Sequence, residues 1–411
     1  MNQTLSQAGL DRLHNAMAAR VDKGELPGMV ILVAHGDEVH VDPVGVKAFG
    51  SPEPMRRDTV FRIASMTKPI LAAATMMLVA DGKLRLDEPV DNWLPELANR
   101  RVLRHVDGPL DDTVPARRSI IVDDLLTFRM GFGHLVEPTM DPPFPIVKAG
   151  NDLKLVLGQP DPRTPHEPDE WIRLFGTLPL MYQPGERWQY NAGSLVLGVL
   201  LARVAGQSLG DLFAERIFEP LGMRETGFWL PAELTQRMPS YYMTNFETGR
   251  MEQRHVSMPE EWTRPPVFPS GAGGLASTVD DFLAFARFLL DKGVYNGRRL
   301  LSEQSVAQMT TNHLTQQQLN IKDPIRGGPG HGWGFGVGVV TEPDAEWPVP
   351  GRYGWMGGYG TAWFNDPHRQ IVAIVMTQTS DFLWTGGLVE FDKLVGGLTL
   401  SHPRAEVRQE Q

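Results

Sequence analysis

The stretch FRIASMTKPILAAATMMLVADG, Phe61 to Gly82, sets Ser65 three residues ahead of Lys68 at the head of a long apolar run that a glycine closes. The run reads as a helix from Ser65 to Gly82, and the i,i+3 spacing puts both side chains on one face. A serine hydroxyl is a weak nucleophile at neutral pH and needs a positioned base to accept its proton. A lysine can be that base if burial or neighbouring charge lowers its pKa enough to leave a neutral fraction. The same spacing fits a serine that caps the helix and a lysine that points into water, so the pair acquires meaning only with partners elsewhere in the chain.

Upstream of this helix, PGMVILVAHGDEVHVDPVG reads as a strand from Met29 to Ala34, a turn at Gly36-Asp37 and a second extended segment, an antiparallel pair. Before it, Leu10, Leu13, Met17 and Val21 mark one face of an amphipathic first helix. Downstream, residues 100 to 185 are rich in proline, aspartate and glycine. There VEPTMDPPFPIV and LGQPDPRTPHEPDE read as long loops of the kind that border a site. Helices resume at AGSLVLGVLLARVAG, stopped by Gly206, and at STVDDFLAFARFLLDKG, with Ser277 or Thr278 as its cap. From Gly332 the pattern returns to strands in GWGFGVGVV, YGTAWFN and QIVAIVMTQT, then to a helix carrying Leu388, Phe391, Leu394 and Leu398 on one face. Strands at both ends and helices between them predict an α/β (α+β) fold: an antiparallel sheet flanked by helices, built from both chain ends. The expected division is a discontinuous domain of residues 1–85 plus 325–411, with a mostly helical domain, residues 86–324, inserted between its halves.

Composition narrows the function. The 411 residues are 42% hydrophobic and 21% charged, without an apolar run of 18, so no membrane span is implied. A net charge of −10 without a basic stripe argues against a general nucleic-acid binder. The absence of cysteine removes disulfides, thiolate metal sites and cysteine catalysis, and with no signal-like start a cytoplasmic setting is expected. No His-Glu-x-x-His cluster suggests zinc. GAGGLA, residues 271–276, follows too poor a strand for dinucleotide binding, and no Gly-x-Ser-x-Gly elbow points to a histidine-dependent hydrolase. No metal or cofactor is expected, and no oligomeric state is implied.

Two further segments carry candidate chemistry. In PGERWQYNAGSLVLG, Tyr190 stands where a loop enters a helix, and a phenol there can shuttle a proton between nucleophile and leaving group. In GRYGWMGGYGTAWFNDP, a glycine-dense strand, Gly357 and Gly358 let a ligand approach the backbone, whose N–H groups can stabilise an oxyanion. Alone, each also fits a boundary tyrosine or a tight bend.

As an ordered set, FRIASMTKPI, QPGERWQYNAG, IFEPLGMRETGFW, GAGGLASTVDDFLAF and YGWMGGYGTAWFNDP resemble the successive motifs of the serine β-lactamase and penicillin-recognising superfamily in its class C-like branch. With Trp-x-Gly as third motif, the chain is most similar to the family VIII carboxylesterases, over residues 10 to 400. The resemblance implies Ser65 as nucleophile, Lys68 as its activator and Tyr190 as second proton-transfer group. It implies an oxyanion hole from the backbone N–H groups of Ser65 and Gly358, and substrate contacts from Trp355, Met356 and Gly357. These last three hold the place of Lys-Thr-Gly in β-lactamases and peptidases of the superfamily. An indole there offers an apolar surface and one donor instead of a cation for a substrate carboxylate. Ala192 likewise replaces the amide of a Tyr-x-Asn motif. Arg352 is near enough in sequence to supply the lost cation. The implied partner is a small-molecule ester of small to medium acyl groups, cleaved with weak or no β-lactamase activity. Alternatives are an acyltransferase or amide or β-lactam hydrolase of the same superfamily, and a non-catalytic binding protein for acyl compounds.

Overall fold

The computed structural model describes residues 4–134, 143–158, 164–245, 247–255, 258–321, 323–344, 349–398 and 400–401. Helix α1 (Gln7–Asp22) leads into β1 (Gly28–His35) and β2 (Glu38–Gly45), followed by α2 (Thr67–Ala80), α3 (Ala192–Ala205) and α4 (Val279–Leu290). Strands β3 (His331–Trp333), β4 (Gly338–Val340), β5 (Tyr353–Gly357), β6 (Thr361–Asp366) and β7 (Ile371–Met376) precede α5 (Gly387–Gly396). The seven strands form one antiparallel sheet in the order β3-β4-β5-β6-β7-β1-β2. The N-terminal hairpin β1-β2 thus joins the C-terminal strands through the β7–β1 pair, as the pattern of strands at both chain ends predicts.

The central strands are buried on both faces, which explains why β1 and β7 are continuous apolar runs and not alternating ones. The period of two still sorts their side chains. Val30, Leu32, Ala34, Val372, Ile374 and Met376 enter the larger core under α2 and α4. Met29, Ile31, Val33, Ile371, Ala373 and Val375 enter a second core under α1 and α5. The expected apolar face of α1 is present, with Leu10, Leu13 and Met17 buried. Thr278 is the cap of α4: its hydroxyl accepts from the Asp281 N–H. Gly206, at φ 68°, ends α3 in the left-handed conformation that glycine adopts without strain.

Residues 86–324 are less purely helical than their sequence suggests, because short antiparallel pairs form at Arg101–Leu103 with Thr113–Pro115 and at Tyr242–Asn245 with Arg250–Gln253. Of the two expected loops, residues 136–142 and 159–163 lie outside the described residues. The described ends of both run into helices, Pro145–Asp152 and Pro168–Gly176, each with proline in its first turn, where a missing N–H costs nothing. No single helix among the described residues is long and apolar enough to cross a membrane. Helix α2 is apolar all round because residues 67 to 78 are buried, the signature of a central core helix.

Candidate active site

Ser65 does not open α2. It sits in a 3-10 turn, Ala64–Met66, just ahead of the helix, and its side chain makes no capping bond. The chain enters this turn through Ala64 at φ 43°, a left-handed conformation that costs a residue with a β-carbon on the order of 1–3 kcal/mol. Ile63 holds the entry: its N–H donates to the Leu275 carbonyl (3.0 Å) and its carbonyl accepts from the Thr361 hydroxyl (3.2 Å). The first bond of the turn runs from the Met66 N–H to the Ile63 carbonyl (3.0 Å), and the Ser65 N–H takes no part in it.

Lys68 lies in the first turn of α2 and is 1% exposed. Its Nζ is 2.9 Å from Ser65 Oγ and donates to the Ala272 carbonyl at 2.5 Å. Neither partner is a carboxylate. Burial alone holds the amine well below the ordinary lysine range, because an ammonium there has lost its water and gained no counter-charge. GAGGLA, a segment without an assigned role in the sequence, therefore supplies through Ala272 the acceptor that orients the lysine.

Tyr190 lies two residues before α3, and the chain turns between them at Asn191, with φ 83°. The Asn191 amide donates to the carbonyls of Leu157 (2.8 Å) and Gly158 (2.9 Å), and the Tyr190 carbonyl accepts from the His134 N–H (2.8 Å). Asn191 thus fixes the neighbouring loop, while Tyr190 presents its ring to Phe128, Trp188, Trp333 and Trp355, at centroid distances of 5.5, 5.7, 6.3 and 5.7 Å. The Tyr190 hydroxyl accepts from Trp355 Nε1–H at 2.7 Å, and Lys68 Nζ lies 4.5 Å from the Tyr190 ring centroid. Burial pushes this phenol above the ordinary tyrosine range. The aromatic box was not legible in sequence, since its members come from four separate segments.

The third segment is two strands and not one. β5 ends at Gly357, the chain turns through Gly358 and Gly360, and β6 returns. A β-carbon on Gly357 would fall 2.2 Å from the Ile63 carbonyl oxygen, so only glycine lets β5 pack against the serine turn. A β-carbon on Gly358 would meet nothing within 4 Å. Gly357→Ala is accordingly expected to cost about 2–3 kcal/mol of stability through overpacking, and Gly358→Ala to stay within about 0.5 kcal/mol, as read by denaturant unfolding. Equal stability of the two variants would contradict this packing.

β4 pairs only with Tyr353 and Gly354, leaving Trp355 to Gly357 without a strand on that edge among the described residues. The pleat brings Trp355 and Gly357 to the Ser65 side and carries Met356 and Arg352 to the other. Arg352 stacks 3.7 Å from the Phe364 ring centroid and is ion-paired with the buried Asp392 of α5, so it does not supply the cation missing at Trp355. A cavity of about 500 Å³ opens on that opposite face, bordered by Arg352, Met356, Phe364 and Leu388. Trp355 also touches it, but Ser65, Lys68 and Tyr190 are not in its walls, so the hydrogen-bonded constellation and not the cavity marks the candidate site.

Three comparisons bear on this arrangement. The chain is 39% identical over 366 residues to Protein Rv1367c of Mycobacterium tuberculosis, covering 87% of each. It is 29% identical over 389 residues to Esterase EstB of Burkholderia gladioli, covering 89% of this chain and 91% of that one. The solved structure of EstCE1, described as a hydrolase with promiscuous acyltransferase activity, superposes with a TM-score of 0.78 at 26% identity over 95% of this chain and 99% of that one. The β-lactamase family model matches residues 13–386, from within α1 to the start of α5. The Ser65 turn, the Tyr190 loop and the β5–β6 hairpin all fall inside that span, and the chain belongs to the β-lactamase family, in a superfamily that includes esterases.

Proposed function

We propose that the protein is a serine carboxylesterase of the family VIII type, opening esters of small to medium acyl groups through an acyl-enzyme on Ser65. The observation that carries this reading is that Ser65 Oγ is hydrogen-bonded to Lys68 Nζ at 2.9 Å, with the Tyr190 ring centroid 4.5 Å from the same Nζ, beside an open strand edge. Lys68, its pKa lowered by burial, takes the serine proton as Oγ attacks the ester carbonyl. The backbone N–H groups of Ser65 and Gly358 hold the tetrahedral oxyanion: the first is free of the turn's own bond, and the second follows the last β5–β6 pair. Tyr190 protonates the departing alkoxide, and an activated water releases the acid. Gly357 lets the strand approach the nucleophile, and Trp355 forms an apolar wall.

The indole at 355 and the engagement of Arg352 with Asp392 leave no cation for a substrate carboxylate on this strand, which argues against efficient β-lactam hydrolysis. The description of EstCE1 favours a second reading, transfer of the same acyl group to an alcohol. Hydrolysis of p-nitrophenyl acetate and butyrate beside nitrocefin tests the first reading, and product analysis with added alcohol separates the second. The expected kcat/KM for the butyrate is at least about 100-fold above that for nitrocefin. Nitrocefin turnover equal to ester turnover would overturn the esterase assignment.

A further inference from the structure

We propose that Trp355 is a positioning residue whose indole N–H fixes the direction in which the Tyr190 hydroxyl points, and with it the proton that Tyr190 delivers to the leaving group. This rests on the esterase reading above. Two hydrogen-bonded runs meet around the nucleophile: Trp355 Nε1–H to the Tyr190 hydroxyl, and Ser65 Oγ through Lys68 Nζ to the Ala272 carbonyl, with Lys68 Nζ 4.5 Å from the Tyr190 ring centroid. The indole and the carbonyl admit one role each, because an indole N–H only donates and a carbonyl oxygen only accepts. Trp355 therefore engages a lone pair of the phenol and leaves its O–H free to turn toward the reacting oxygen, while Lys68 donates to Ala272 and, in its neutral form, offers its lone pair to the Ser65 O–H.

The indole cannot easily turn away. It packs edge-on to Trp333 at a centroid distance of 4.6 Å and lies on the backbone of Gly338, where a β-carbon would fall 2.9 Å from Cζ3 and 3.0 Å from Cε3. As a neutral donor it holds the phenol without adding the positive charge that a lysine at this place would bring, which would draw the phenol toward ionisation. In acylation, the Ser65 O–H bond breaks as Oγ bonds to the carbonyl carbon, and the proton passes to Lys68 Nζ. The phenol proton passes to the alkoxide oxygen as the acyl C–O bond breaks, leaving a phenolate that still accepts from Trp355. Transfer of the Lys68 proton to that phenolate restores both neutral groups.

The consequence depends on the leaving group. An alkyl alkoxide needs the phenol proton, whereas p-nitrophenolate departs without it. Trp355→Phe, which keeps the aromatic wall and removes the N–H, is expected to lower kcat for ethyl butyrate about tenfold more than kcat for p-nitrophenyl butyrate, with KM for both within about twofold. The alkaline limb of kcat is expected to move up, since the phenolate loses a donor. Gly338→Ala keeps the N–H but presses on the indole. It is expected to produce the same leaving-group dependence with smaller amplitude, and it carries the test if the Phe variant does not fold. Equal losses on both esters, or a change confined to KM, would reduce Trp355 to an apolar wall and overturn the inference. Ester turnover that survives Ser65→Ala would overturn the catalytic reading itself, a separate result read from a separate variant.

Discussion

Alanine in place of Ser65 is expected to lower kcat/KM for p-nitrophenyl butyrate by at least about 10³-fold and to cost only about 1 kcal/mol of stability. The activity loss follows from the loss of the hydroxyl that is hydrogen-bonded to Lys68 Nζ. The residual rate is what an oxyanion hole and substrate binding sustain with water as nucleophile. Stability changes little because Lys68 keeps the Ala272 carbonyl as a partner and the Tyr190 hydroxyl keeps its bond from Trp355. A fluorophosphonate should add one mass increment to the native protein, on the peptide that contains Ser65, and none to the variant. Labelling of the alanine variant, or ester turnover within tenfold of native, would remove Ser65 from the chemistry and leave the constellation a structural hydrogen-bond cluster.

The parts of the molecule that local patterning governs were legible in the sequence. The buried run of β1, the apolar face of α1, the Thr278 cap and the Gly206 stop each follow from a few adjacent residues. The meeting of Ser65 with Lys68 was also legible, although the geometry differs: Ser65 lies in a 3-10 turn forced by Ala64 and not on the helix proper. That turn is imposed by Leu275 and Thr361 across more than 200 residues of chain, and no local pattern contains it. Ala272 was missed for a related reason, because its contribution is a carbonyl that any residue type possesses. Arg352 and Met356 illustrate a different limit. Both are near Trp355 in sequence, but the pleat of β5 turns them to the far face, and this follows only once the strand's ends and partners are known. Trp355 could be read as an apolar surface with one donor; that the donor would find Tyr190, 165 residues earlier, required the fold.

Lys68→Met separates the two things a buried lysine does here. Activity is expected to fall by about 10³-fold or more, since methionine fills much of the space and accepts no proton. The pH dependence of the native enzyme should show the same group. Burial lowers the Lys68 pKa in the folded protein, so the neutral amine appears, and kcat/KM climbs, at a pH well below the ordinary lysine range. The stability consequence has the opposite sign to that of a lysine in an ion pair. Below its lowered pKa, Lys68 is protonated both folded and unfolded, and the fold bears the full cost of an ionised amine without water. Between that pKa and the ordinary value the unfolded chain binds more protons than the folded one, so stability rises with pH across this window. The methionine variant should lack that rise, and its unfolding free energy should exceed the native value most at the acid end of the window. Urea unfolding of both proteins at a series of pH values reads the difference directly. Parallel curves would mean that Lys68 titrates alike in both states, and that the serine proton is taken by another group.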